Sequence, residues 1–307
     1  MSGIVRRHAG TIIAFVGYLA AWAAAVATLA ATKSDAVGDG VAVLVVFGLV
    51  LSGVGWLTTI GIRAPTIAVR RPGLELGAVL AFLAAYAVLF TGYGLNAFHA
   101  AFAEGRLEAV LLVVFKLVVH VAMPCLLLAA VGASPRALFT SKPRGRPFWL
   151  TLLILGPAIL AVLAVISPSL KDIAALKLTP ASLALASGGA FVWMAIEAGL
   201  CEEFLFRAVL QTRLTAAMKS EAGAVVVGAL VFGLVHAPGL YMRAHAGDFG
   251  HSQNPIQVVA YTVAVLSPAG LFLGFMWART RNLLLVVLLH ALVDVMPFIP
   301  AFARLWF

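Results

Sequence analysis

Stretches of about twenty apolar residues recur along this chain, each closed by a short polar connection. No feature constrains the fold more. A segment of that length crosses the roughly 30 Å hydrocarbon core of a bilayer as a helix, and only helices and closed barrels satisfy their backbone N–H and C=O groups there. Barrel strands are short and alternate in hydrophobicity, whereas these stretches are continuously apolar. The sequence therefore predicts an all-α, polytopic transmembrane helical bundle of about 8–9 membrane helices. They fall near residues 10–31, 41–62, 76–97, 108–131, 148–168, 182–217, 222–242, 256–279 and 282–299. Composition agrees, with 63% hydrophobic and 11% charged residues. Soluble domains average about 45–50% and about 25%.

The net charge of +9 would suit nucleic acid or an acidic partner, but the basic residues fall on alternate connections. Arg6 and Arg7 precede the first span; Arg63, Arg70 and Arg71 follow the second; Arg136, Lys142, Arg144 and Arg146 follow the fourth. Arg213 and Lys219 close the sixth, and Arg279 and Arg281 the eighth. By the positive-inside rule the N-terminus is cytoplasmic and, with nine spans, the C-terminus lies outside. The partners implied are the lipid bilayer and a membrane-associated protein or peptide, not nucleic acid. The first span has a basic start and a small-residue end, as a signal peptide does, but its apolar part is longer than the usual signal core. A retained helix is the reading favoured; its removal would leave eight. Cys125 and Cys201 lie in apolar stretches and read as small buried hydrophobes.

Residues 1–147 hold four helices and a basic, Pro/Gly-rich linker, SPRALFTSKPRGRP (Ser134 to Pro147). Residues 148–307 carry most of the polar chemistry, within one integral membrane domain. The sixth stretch is too long for one straight span, so it tilts strongly or breaks near Gly188, Gly189 or Gly199.

Within that stretch stands GLCEEFLFRAVL (Gly199 to Leu210). Its acids lie roughly 18 Å from the cytoplasmic end, at 1.5 Å per residue. A charge at such depth is a functional-site hypothesis by default. Glu203 and Arg207 are four apart and share a helix face, while Glu202 points about 100° away. His236 in VFGLVHAP and His290 in LLHALVDV come to similar depth, with Asp294 one turn past His290. A carboxylate and an imidazole can hold and deprotonate a water, and a second imidazole can donate to a developing oxyanion. Glu202, His236 and His290 are equally ordinary ligands for a divalent metal such as zinc, so metal-bound and metal-free water both stand open.

EEFLFRAVL resembles the EExxxR motif of the CAAX prenyl protease type II (CPBP/Abi) family of intramembrane endopeptidases. Phe232 to His236 resembles its FxxxH motif, and His290 to Asp294 its third motif, across about residues 180–297. The resemblance implies that Glu202 and His236 activate the attacking water. His290 and Asp294 would then face the scissile carbonyl, with Glu203 and Arg207 keeping the site in shape. Where many members have asparagine this chain has Asp294, which must be protonated or must orient His290.

Lys116, His120 and Glu197 read as a structural ion-pair cluster. His245, His251 and Asp248 read as a solvated loop, and the terminal FARLWF as an interfacial anchor. The leading function is an intramembrane endopeptidase, in style a protein of a bacterial cytoplasmic membrane. The alternatives are a proton- or ion-coupled transporter, for which intramembrane charges are also expected, and a catalytically silent immunity-type protein.

Overall fold

The computed structural model describes residues 2–139, 145–242 and 250–307, and the side chains of all of these except 2–9 and 146. Lys142 and Arg144 of the linker, with His245 and Asp248 of the loop, lie outside the described residues, as do the side chains of Arg6, Arg7 and Arg146.

Among the described residues there is no strand, and nine helices are long and apolar enough to cross a membrane. They are α1 (Gly10–Ala31), α2 (Val37–Thr58), α3 (Pro72–Ala101), α4 (Arg106–Ala130), α5 (Pro147–Ile166), α6 (Pro180–Met218), α7 (Glu221–Met242), α8 (Pro255–Thr280) and α9 (Leu283–Trp306). The chain is an integral, multi-pass membrane protein. Start signals are legible at several of them: Thr179, Ser220, Asn254 and Asn282 each accept a backbone N–H one turn into the helix that follows. A side-chain oxygen at that position satisfies one of the first orphan donors.

Three expected helices change their bounds, α3 running four residues past its expected span at each end. α2 begins and ends about four residues early, because the chain turns out through Gly61 at φ 79°. α9 runs on to Trp306 rather than stopping near 299, carrying Pro297 and Pro300 inside it. The terminal aromatic segment is thus the last turns of that helix, where the Arg106 guanidinium donates to the Leu305 and Trp306 carbonyls and stands 5.4 Å from the Trp306 ring.

The bundle is built around its last four helices. α6 packs on α9 and α7 on α8, while α1 lies on α7 and α8, α2 on α8 and α5 on α9. Of the most apolar window, 61% is buried in each of α7, α8 and α9, against 17–28% in each of the first six. The outer helices turn Ile, Leu and Val outward, as a lipid-facing surface requires. α6 divides in two. Its first half is a mixture of exposed, half-buried and buried positions, but every side chain from Phe204 to Leu214 is buried. It does not break at its glycines; wide π-type turns at Ala195–Leu200 and Phe204–Gln211 carry one continuous helix through the bundle.

Arginines pin the helix ends on the basic side. Arg213 Nε lies 3.2 Å from Glu75 Oε2, tying α6 to α3. Arg279 donates to the Thr59 hydroxyl and carbonyl, tying α8 to α2. Arg281 pairs with Glu221 at the start of α7. Midway along the bundle, the buried Tyr18 hydroxyl meets Ser267 at 2.9 Å and locks α1 to α8.

Candidate active site

The polar side chains singled out on three separate helices lie together in the structure. Glu203 and Arg207 are both fully buried on α6, with Arg207 Nε 3.0 Å from Glu203 Oε2. The approach is close enough for an ion pair but off the angle of a hydrogen bond, and neither Nη of Arg207 has a hydrogen-bond partner among the described residues. Its guanidinium lies instead 4.8 Å from the centroid of Phe232. A cation over an aromatic face gains more when both are desolvated.

α7 is interrupted at Val235–His236, just ahead of Pro238, and re-forms as Ala237–Met242. The interruption leaves His236 at a helix end. Its Nδ1 donates to the Phe232 carbonyl at 2.6 Å, which fixes the tautomer and turns the lone pair of Nε2 toward Glu202. On α9, His290 is 6% exposed and held from both sides. Its Nδ1 meets Glu203 Oε1 at 2.8 Å, and its Nε2 lies 3.2 Å from Asp294 Oδ2. A neutral imidazole has one N–H to give, so either the ring carries both protons or Asp294 keeps its own.

Glu202 occupies the centre. Its Oε2 lies 3.9 Å from His236 Nε2 and 3.9 Å from His290 Nε2. That is beyond a direct hydrogen bond and suits one water bridging the groups. The side chains of Glu202, His236 and Asp294 are 16%, 31% and 35% accessible, whereas those of Glu203 and Arg207 are sealed. One acid is thus open to a reactant and its neighbour is locked in the frame. The spacing is wide for a metal: bonds of roughly 2.0–2.1 Å in a tetrahedron place ligand atoms about 3.4 Å apart. Among the described residues no three His, Cys, Asp or Glu side chains are grouped as a ligand set. The side chains as placed do not form a tetrahedral zinc site.

Close backbone packing holds this geometry. A Cβ on Gly199 would stand 2.6 Å from the Val287 carbonyl oxygen, so α6 and α9 touch backbone to backbone one turn from His290. One on Gly233 would stand 2.5 Å from the Thr262 carbonyl oxygen, bringing α7 against α8 just before His236.

Sequence reasoning passed over Phe232 as anything but a motif letter. Its ring lies 5.0 Å from that of His236 and 6.3 Å from that of His290, and with Arg207 beneath, it is the floor on which both imidazoles rest. Its place four residues before His236 was the available signal. The Lys116–Glu197 pair is present at 3.0 Å, and Trp193 Nε1 donates to the other Glu197 oxygen at 2.6 Å. His120 does not join it; it is buried between the Tyr86 hydroxyl and the Lys116 carbonyl. Cys201 is buried and unbridged, Cys125 half-buried. His251 stands with Nδ1 3.1 Å from the Leu240 carbonyl.

Fold and site together define a multi-pass membrane protein with a carboxylate–histidine centre between its last four helices. Residues 184–296 match the family model described as Type II CAAX prenyl endopeptidase Rce1-like. The match begins in α6 and ends in α9, close to the span over which the motifs carry the resemblance. Those residues are thus similar to the Rce1-like family, and the similarity supports, at family level, a CAAX-type intramembrane peptidase. No curated protein and no solved structure matches the chain.

Proposed function

We propose that this protein hydrolyses a peptide bond in a membrane-associated protein or peptide, with a water activated by Glu202 and His236. The observation that carries the reading is the position of Glu202 Oε2, 3.9 Å from two imidazole nitrogens that come from two other helices. A water held there donates one proton toward the Glu202 carboxylate and the other toward His236 Nε2, whose lone pair is exposed because Nδ1–H is committed to Phe232. Its own lone pair is then free for the scissile carbonyl carbon. Attack forms a tetrahedral oxyanion, and Glu202 keeps the proton until the leaving amine takes it. The oxyanion falls to His290 and Asp294, one of which carries the donating proton. Preorganised donors of this kind act strongly where water is scarce. Glu203 positions His290 through Nδ1, and Arg207 neutralises Glu203.

The family description is that of a prenyl endopeptidase, and the Glu202–His236 pair acts on the peptide bond itself. The substrate class is therefore put as membrane-associated protein or peptide. Placement in a bacterial cytoplasmic membrane, with the basic connections inside, rests on composition and the positive-inside rule.

The test is cleavage by purified full-length protein in detergent, over candidate membrane-protein substrates and a peptide library. Wild type is compared with Glu202→Ala and His236→Ala, each checked for intact folding, with and without a chelator. Loss of cleavage in both variants is the expected result, and chelator resistance goes with the metal-free water. A wild type that cleaves nothing while moving protons or ions would favour the transporter instead; variants that cleave like wild type would overturn the residue roles.

A further inference from the structure

At the ends of α2, α8, α5 and α9 on the basic side lies a cavity of about 290 Å³, lined by none of the residues of the carboxylate–histidine centre. Ile62, Ile67, Phe148 and Leu285 give it apolar walls; its charged lining is Arg63 and Arg281, with no acid among the lining residues. Arg281 is 6% exposed, held over Trp277 at 5.6 Å and against Glu221, yet its Nη1 is buried with no hydrogen-bond partner among the described residues. A guanidinium has five N–H donors in a fixed fork, and leaving one buried and unmet costs stability. The 24-residue helix α9 also begins here, capped by Asn282, with the positive end of its dipole at the same cavity. Among the described residues lining the two adjoining cavities, Glu221 is the one acid that opposes an anion; it lines the smaller cavity and is half exposed.

We propose that this cavity binds the phosphate of an anionic phospholipid, with Arg281 Nη1 and Arg63 on the phosphate oxygens and the start of an acyl chain along Ile62, Ile67, Phe148 and Leu285. Guanidinium groups match phosphate geometry. The apolar walls and the place of the cavity at the ends of four membrane helices select a lipid over a soluble phosphate. The inference stands apart from the peptidase reading and asks nothing of it.

The experiment is native mass spectrometry of the detergent-purified full chain, equilibrated with phosphatidylglycerol or phosphatidylcholine of matched acyl chains. Wild type retains phosphatidylglycerol preferentially. Arg63→Gln and Arg281→Gln each lower that retention about fivefold, the worth of one arginine near a charged surface. Glu221→Gln retains the lipid as well as wild type or better. Arg63 is exposed, so its variant carries the test even if Arg281→Gln fails to fold. Equal retention of the two lipids by wild type would overturn the proposal. So would Glu221→Gln losing as much as Arg281→Gln, which would make Arg281 a strut between helices. If millimolar inorganic phosphate alone displaces the lipid and stabilises the protein to the same degree, the site takes free phosphate and the lipid assignment falls.

Discussion

Glu202 and Glu203 are neighbours in the chain with opposite situations. The first is open and contacts nothing closer than 3.9 Å among the two histidines; the second has no exposed surface and binds both His290 and Arg207. Replacing Glu203 with glutamine keeps an acceptor for His290 but strands the Arg207 cation, and breaking a buried pair from one side costs about 3–5 kcal/mol. Glu203→Gln is therefore expected to lower stability by that order in a denaturant titration in micelles. Adding Arg207→Met restores most of the loss. Asp294 separates differently. If its role is to donate to an oxyanion, Asp294→Asn keeps kcat/KM within about tenfold, whereas Asp294→Ala loses on the order of 10²–10³, the usual cost of an oxyanion donor. An asparagine variant as dead as the alanine one would mean that the negative charge on Asp294, not its proton, is what His290 needs.

At the scale of helices, the membrane spans were legible because length and apolarity alone specify them. The Glu203–Arg207 pair was legible because the helical repeat dictates it. The meeting of Glu202 with His236 and His290 was legible only as an inference from depth and from family resemblance, since no local rule links three helices. Gly199 and Gly233 gave no usable signal: their reason is a backbone carbonyl on another helix, 88 and 29 positions further along. The ninth helix runs past its expected end near 299 because Pro297 and Pro300 do not end it, its face packing against α6. Gly199→Ala tests the close approach. The added methyl meets backbone that cannot turn aside, so α9 must shift. Overpacking of this kind costs about 1–3 kcal/mol, and a shift of His290 predicts a fall in kcat larger than any change in KM.

Taken whole, the molecule places its buried polar chemistry in the carboxyl-terminal helices and surrounds them with helices that mostly face lipid. Its arginine clamps, Arg213 to Glu75, Arg279 to Thr59 and Arg281 to Glu221, all gather on one side. The positive-inside rule predicts that this side faces the cytoplasm. Single cysteines at Lys33 and at Lys219 are expected to label from opposite sides of sealed cells with a membrane-impermeant reagent; labelling from the same side would refute the nine-span topology. One feature of the site also bears on how such a chain is made. A charged residue entering the bilayer alone costs about 2.5–3.5 kcal/mol during insertion. Glu203 and Arg207 leave the ribosome on the same helix, one turn apart, well before His290 is synthesised. They can enter the membrane already neutralised by each other, so the most deeply buried charges of the finished protein need no partner from a later helix in order to arrive.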